Sequence, residues 1–186
     1  TSKESKPEPT DGDDVLTSTS RSDEISGGDS DDRIDGGNDN DKLYGGDGND
    51  WMLGVDGNDT INGGDGQDRM FGHDGNDILF GGAGEDTMAG GVGSDTFVYG
   101  AMSEAKDTIT DFETGPLGDS LDLAQLMVNI GYGGSDTFTD GYLQLTQSGA
   151  DTLVQVDVDG GANSFQTLVT LQNTNSGDVD TGIWVV

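Results

Sequence analysis

GGDGNDWML at residues 45–53 is followed by GVDGNDTIN at 54–62 and GGDGQDRMF at 63–71. In each nine-residue block the sixth residue is aspartate (Asp50, Asp59, Asp68), the eighth is large and apolar (Met52, Ile61, Met70), and glycine stands first and fourth. Outward in both directions this register holds without a slip from Pro9 to Val98, giving ten units. The sixth-position column reads Asp14, Asp23, Asp32, Asp41, Asp50, Asp59, Asp68, Asp77, Asp86, Asp95. The eighth reads Leu16, Ile25, Ile34, Leu43, Met52, Ile61, Met70, Leu79, Met88, Phe97. A strand and turn of nine residues cannot bury its own apolar side chain, so copies must stack until those side chains form one interior. Neighbouring side chains on a strand face opposite ways, so only the middle residue of each x-U-x triplet (U apolar) points inward. The flanks agree: Arg33, Asp35, Lys42, Thr60, Asn62, Arg69 and Thr87 are polar. The fold expected is an all-β solenoid.

Seven basic residues stand against 37 acidic ones, a formal charge of -30, and a chain so charged repels itself when compact. It needs counter-ions to fold. With 33 glycines and 30% hydrophobic residues the composition would otherwise suit an acidic disordered linker, but a linker has no reason to keep two columns filled. Nucleic acid is excluded as a partner, because phosphate binding needs clustered Lys and Arg. Without cysteine, disulfides and thiol chemistry are absent. No apolar run is long enough for membrane insertion, and residues 1–32 lack the apolar core of a signal peptide. Residues 1–8 read as a linker, and a chain starting at Thr1 reads as a piece of something larger.

The G-G-x-G-x-D-x-U-x units resemble the nonapeptides of RTX (repeats-in-toxin) proteins. That resemblance implies a parallel β-roll over residues 9–99, with two nonapeptides per coil and hence about five coils. It also implies calcium in the turns. The ligands it implies are the carboxylates of Asp32, Asp41, Asp50, Asp59, Asp68, Asp77, Asp86 and Asp95, together with Asp47, Asp56, Asp65 and Asp74. Turn carbonyls around Gly45, Gly48, Gly63, Gly66, Gly81, Gly84, Gly90 and Gly93 would assist. Calcium suits such a set, taking roughly six to eight oxygen ligands in flexible geometry. The match thins toward the start. The units at 9–17 and 18–26 lack Gly-Gly, and Arg21 replaces the fourth glycine of the second, which predicts frayed coils or a cap. Ser30 and Asp39 replace the fourth glycine of the next two units; Val55 and His73 replace second-position glycines further on.

Beyond Tyr99 the period stops. The D-x-I-x-D-F element from Asp107 to Phe112 resembles the end of RTX blocks, which implies that Asp107 and Asp111 help bind a further calcium; the same two residues also read as solvated turn carboxylates. SLDLAQLM at 120–127 is open between helix and strand. YLQLTQ at 142–147, TLVQVDV at 152–158 and FQTLVTLQ at 165–172 are strands by alternation, and a meander capping the roll is the simplest arrangement. After Lys106 no Lys or Arg occurs. Residues 100–186 resemble the C-terminal target domain of type I secretion substrates, with Asp178, Asp180, Ile183, Trp184, Val185 and Val186 in the position of the signal. That resemblance implies a type I secretion apparatus and the rest of a large adhesin as partners. It places the protein outside, or on the surface of, a Gram-negative bacterium.

The rival class is the tail of a secreted metalloprotease or lipase. Neither H-E-x-x-H nor G-x-S-x-G occurs, and the single histidine, His73, sits in a repeat, so no enzyme is expected within these residues. A third class is a ligand-binding surface on the roll. Position seven carries no unbroken threonine row of the kind an ice surface would match, but Trp51, Leu53 and Phe71 on odd units, and Tyr44, Ile78 and Phe80 on even ones, point outward. Packing under the tail is the expectation for them, and a partner is the alternative.

Overall fold

In a computed structural model the described residues are 11–18, 20–104, 106–134, 138, 140–159 and 164–179, with the backbone of 184–185. The linker at 1–8 lies outside them. Each nonapeptide contributes its x-U-x triplet and the first three residues of the next unit to one strand, and the remaining three residues make the turn. The strands are β1 (Val15–Thr17), β2 (Glu24–Asp29), β3 (Arg33–Asn38), β4 (Lys42–Asp47), β5 (Trp51–Asp56), β6 (Thr60–Asp65), β7 (Arg69–Asp74), β8 (Ile78–Ala83), β9 (Thr87–Val92) and β10 (Thr96–Val98).

Odd strands stack in one parallel sheet and even strands in another, each pairing in register with the strand one coil on: Met52 with Met70, Leu43 with Ile61. This is an all-β parallel roll of about five coils, as the repeat predicts. Between the sheets lie the eighth-position side chains, buried from Leu16 at 4% exposure to Phe97 at 0%. The first units depart from expectation. Strand β1 pairs with β3 and β2 pairs with β4 in the same register, because Leu16 and Ile25 are present to be buried even where the glycines are missing.

Both sheets run on past Tyr99. After a 3-10 turn at Met102–Glu104, β11 (Asp107–Ile109) joins β9, and β12 (Ser120–Asp122) joins β10. A short helix α1 (Ala124–Asn129) follows, so SLDLAQLM is strand and then helix. The meander consists of β13 (Leu143–Ser148), β14 (Asp151–Asp157) and β15 (Phe165–Leu171), antiparallel to one another, with β15 parallel to β11. It continues the odd sheet edgewise. Strand β16 (Trp184–Val185) ends the even sheet beside β12. One apolar cluster runs from Leu16 through Tyr99 and Leu121 to Val154 and Leu171, so roll and tail share a core.

Candidate metal centre: two buried carboxylate columns

The turns place every sixth-position aspartate from Asp32 to Asp95 inside the roll, with Asp68 1% and Asp50 2% exposed. They form two columns. In the odd column the backbone N–H of Asp14 donates to Asp32 Oδ1, Asp32 to Asp50, Asp50 to Asp68, Asp68 to Asp86, and Asp86 to Asp107, at 2.7–2.8 Å. In the even column Asp23 donates to Asp41, Asp41 to Asp59, Asp59 to Asp77, Asp77 to Asp95, and Asp95 to Asp119, at 2.7–3.0 Å. One oxygen of each carboxylate is thereby fixed.

The other oxygen is not. Oδ2 of Asp32, Asp41, Asp50, Asp59, Asp68, Asp77, Asp86, Asp95 and Asp107 is buried without a hydrogen-bond partner. A buried anionic oxygen left unpaired is costly, so nine of them in two rows demand a positive counterpart or a proton. Burial pushes the carboxyls up: Asp41 and Asp50 to about 6, Asp68 and Asp77 to about 7, Asp107 to about 8. The backbone N–H pulls each part of the way back, and neighbouring column carboxylates push it up again. Asp32, Asp59, Asp86 and Asp95 move the same way for the same first cause.

Glycine at position one leaves the space these oxygens face. A Cβ added at Gly36 would stand 2.9 Å from Asp41 Oδ2 and 3.0 Å from the Gly54 carbonyl oxygen. At Gly27, Gly45, Gly54, Gly63 and Gly72 the same pair converges, a carboxylate oxygen of one unit and a glycine carbonyl one coil on, making six such cradles. Among the described residues no three His, Cys, Asp or Glu side chains gather as a metal cluster. A cation here must take carbonyl as well as carboxylate oxygens, and an all-oxygen donor set of that kind fits calcium.

The remaining expected ligands divide. Side chains of Asp47, Asp56, Asp65 and Asp74 are exposed and stay outside the columns; the backbone carbonyls of Asp65 and Asp74 accept N–H bonds from Gly48 and Gly57 of the preceding coil. Gly48, Gly66, Gly84 and Gly93 turn the chain at φ of 133 to 153°, and Ser30 (φ 82°) and Asp39 (φ 72°) hold the left-handed region in their place. Gly45, Gly63, Gly81 and Gly90 line cradles. Asp107 is 0% exposed, and Asp111 accepts the N–H groups of Gly90 and Gly91 at 3.1 and 3.0 Å, so neither is a solvated turn carboxylate. Asp107 extends the odd column; at Gly81 the space a Cβ would fill faces Oδ2 of both Asp86 and Asp107, with no glycine carbonyl beside them. Asp178 is exposed, Trp184 and Val185 lie in β16, and Asp180, Ile183 and Val186 fall outside the described residues.

Three kinds of residue escaped the sequence reading. Asp119 ends the even column, with Oδ2 accepting the Glu113 N–H at 2.8 Å. Its signal is D-S-L at 119–121, an Asp-x-apolar triplet like D-T-I at 107–109. The position-one residues Gly27, Gly36, Gly54 and Gly72 belong to the cradles as much as Gly45 and Gly63 do. Position five forms an outer ladder: Asn40 Oδ1 accepts from Asn58 N–H, Asn58 from Asn76 and Asn76 from Ser94.

A family described as the RTX calcium-binding nonapeptide repeat (4 copies) matches residues 9–43, 44–79 and 62–97. Among solved structures the chain is similar to the AlgE6R2 subunit of the Azotobacter vinelandii mannuronan C5-epimerase, 27% identical over 74% of this chain and 87% of that one, at a TM-score of 0.54. The AlgE6R3 subunit of the same epimerase is 24% identical over 94% and 78%, also at 0.54, and supports the fold alone. Extracellular lipase LipA of Serratia marcescens aligns over 96% of this chain and 39% of its own, at 16% identity and a TM-score of 0.35, too weak to argue from. No curated protein sequence matches the chain. Ten nonapeptides in register, a parallel roll and cradles of carboxylate and carbonyl oxygen make residues 9–97 a block of RTX calcium-binding nonapeptide repeats.

Proposed function

We propose that the chain is a non-catalytic folding module of a secreted bacterial RTX protein, a large adhesin, and that it is unfolded where calcium is scarce and folds on calcium outside the cell. One observation carries this reading: nine buried carboxylate oxygens without a partner in a chain of net charge -30. At neutral pH without cations the columns must either stay charged in a dry interior or take up protons, and both oppose the compact state. Cations in the six cradles would be held by Asp32, Asp41, Asp50, Asp59, Asp68 and Asp77 with the glycine carbonyls one coil on. Each site that binds only the folded chain stabilises it by about 2 kcal/mol when calcium exceeds its Kd about thirtyfold, so six supply roughly 12 kcal/mol, as much as the whole stability of an ordinary domain.

An unfolded, strongly acidic chain can thread a type I secretion channel, and coils that fold as they emerge would hold it from sliding back. The terminal target-domain resemblance supports this direction of use. The likeness to a subunit of an epimerase favours a second reading, in which the roll accompanies the catalytic part of a secreted enzyme rather than an adhesin; metalloprotease and lipase tails belong to the same reading.

Far-UV circular dichroism of the chelated chain, titrated with calcium and in parallel with magnesium, tests the switch. A cooperative rise in β signal with calcium alone is expected. A chain already folded in chelator, or folded equally by magnesium, would remove the physical basis for calcium-driven export.

A further inference from the structure

The sequence holds one Asn-Gly pair, Asn62–Gly63. That dipeptide ordinarily marks a turn, yet here it stands inside β6, an interior strand paired with β4 on one side and β8 on the other. Gly63 is the first-position residue of its unit. It is buried, and the space a Cβ would fill there faces Asp68 Oδ2 and the Gly81 carbonyl oxygen. The fold therefore demands the glycine. It makes no such demand of Asn62, since the same ninth position carries Ser26, Leu53, Phe71 and Ala89 in other units.

Asn62 is half-buried and faces outward, in register between Tyr44 and Phe80 of the neighbouring strands. The outward aromatic residues are not packed under the tail: the meander joins the odd sheet beyond β11, edge to edge, and Tyr44 stays 36% and Trp51 41% exposed. Water thus reaches the Asn62 side chain in the folded state, and what separates its amide from reaction is conformation. Attack of the Gly63 nitrogen on Asn62 Cγ closes a succinimide ring, for which the nitrogen must swing to the side-chain side of the Cα–C bond. The extended backbone of a strand holds it on the other side, and the ladders on both edges of β6 resist the rotation. An unfolded chain has no such restraint, and glycine, lacking a side chain, leaves its nitrogen open.

We propose that Asn62 is a site of spontaneous covalent modification, open only while the chain is unfolded, and that its product prevents the roll from closing; this rests on the calcium-dependent folding proposed above. In the step itself the Gly63 nitrogen forms a bond to Asn62 Cγ, the Cγ–Nδ2 bond breaks, and the amide nitrogen leaves as ammonia with the proton from Gly63. Water then adds to either carbonyl of the ring and opens it. One opening gives aspartate at 62. The other gives isoaspartate, in which the main chain runs through Cβ and Cγ and is longer by one carbon. That extra atom falls between Ile61, 0% exposed in the core, and Gly63 at the Asp68 cradle. The strand cannot absorb it, because Gly64 and Asp65 stay in register with Gly46 and Asp47 on one side and with Gly82 and Ala83 on the other. A slip in register misplaces every later side chain of a strand, and with them the Asp68 cradle. A chain that lingers unfolded where calcium is scarce accumulates this mark and is lost to the folded state.

The test follows Asn62 in the full chain at pH 8, in excess calcium and in chelator. Circular dichroism records whether each sample is folded, and mass spectrometry of the tryptic peptide 43–69 records exchange of the Asn62 amide for a carboxyl. Conversion should run at least about tenfold faster in chelator than in calcium, because a folded chain reacts only through its rare openings. Calcium added to the aged, chelated sample should restore less β signal the more isoaspartate has formed, while Asn62→Gln aged in the same way should refold in full. The proposal is overturned if Asn62 converts equally fast in a folded and an unfolded sample, a comparison that needs no variant to fold. It is equally overturned if isoaspartyl chains regain the β signal of fresh ones. A chain already folded in chelator would count against the calcium reading alone; urea then supplies the unfolded sample, and the same two comparisons decide the fate of Asn62.

Discussion

The roll and the meander belong to one sheet and are stabilised in different ways. From β13 to β15 the strands alternate in an ordinary manner, and Val154, Val156, Leu168, Val169 and Leu171 are buried at 0% exposure. From β2 to β9 each six-residue strand buries one apolar side chain and one glycine, and beside that thin interior it buries a carboxylate per unit. Apolar burial dominates the meander, which buries a single carboxylate, Asp157, among its described residues. The roll has less apolar surface per residue and a column of charge to neutralise, so its stability is conditional on what fills the cradles. A sheet can thus be continuous in hydrogen bonding and discontinuous in the physics that keeps it folded.

Calcium removal should break the two apart. In chelator at pH 8, amide hydrogen exchange should lose all protection across Glu24–Val92 while part remains across Leu143–Leu171, because seven of the nine orphaned column oxygens lie in the first region and none of the nine in the second. Simultaneous loss in both would mean that β11 must be held by the roll before β15 can dock on it, and the contrast would become one of template and copy.

A smaller effect with the opposite sign follows from pH. Burial raises the folded-state values of Asp41 and Asp50 to about 6, Asp68 and Asp77 to about 7 and Asp107 to about 8, against 3.8 for an ordinary aspartate. The folded chain therefore holds more protons than the unfolded one through this window, and stability falls as pH rises. In chelator the roll should be more ordered at pH 5.5 than at pH 8. With calcium the order reverses, since the ion needs the ionised carboxylate. Dichroism at the two pH values, each with and without calcium, gives the four readings; a metal-free chain insensitive to pH would mean that the columns do not limit folding.

Single side chains sharpen the same contrast. Asp68→Asn removes one orphaned charge and keeps its shape, so with calcium it should cost about 2 kcal/mol, one site's share, and in chelator it should leave more β signal than the wild type. Leu168→Ala in the meander should cost about 2–5 kcal/mol with no dependence on calcium. Denaturant melts in both conditions separate the two, and a calcium-dependent Leu168→Ala would show that the cores are coupled through the cluster that joins them.

How legible all this was depends on which atoms carry the information. The period, the inward U column and the sixth-position aspartates are side-chain facts repeated ten times, so the roll and both columns could be read directly. Asp119 and the first-position role of Gly54 and Gly72 could not, because the former follows the last unit at an irregular spacing and the latter contribute backbone oxygens and empty space. Third-position aspartates read as ligands by the same motif, and the structure places their side chains on the exposed side of the strands, outside the buried columns. SLDLAQLM was ambiguous because its strand is only three residues long and its register is set by Phe97 pairing with Leu121, a contact no local window contains.

The least expected piece of the roll also yields the smallest prediction. Asn58 sits at position five, fully outside the columns, and ties three loops together: its N–H donates to Asn40 Oδ1 at 2.8 Å, and its own Oδ1 accepts from Asn76 at 2.7 Å. Among the described residues of the meander no such ladder of side-chain acceptors occurs. Asn58→Ala deletes one exposed acceptor, which is worth about 1 kcal/mol, and the amide of Asn76 is left to water. If the ladder merely ornaments the turns, the calcium titration of Asn58→Ala should keep its midpoint and its steepness. If it couples one loop's order to the next, as its geometry requires, the midpoint should move up only slightly while the transition becomes shallower, and Asn58→Asp, which keeps the acceptor, should restore the slope.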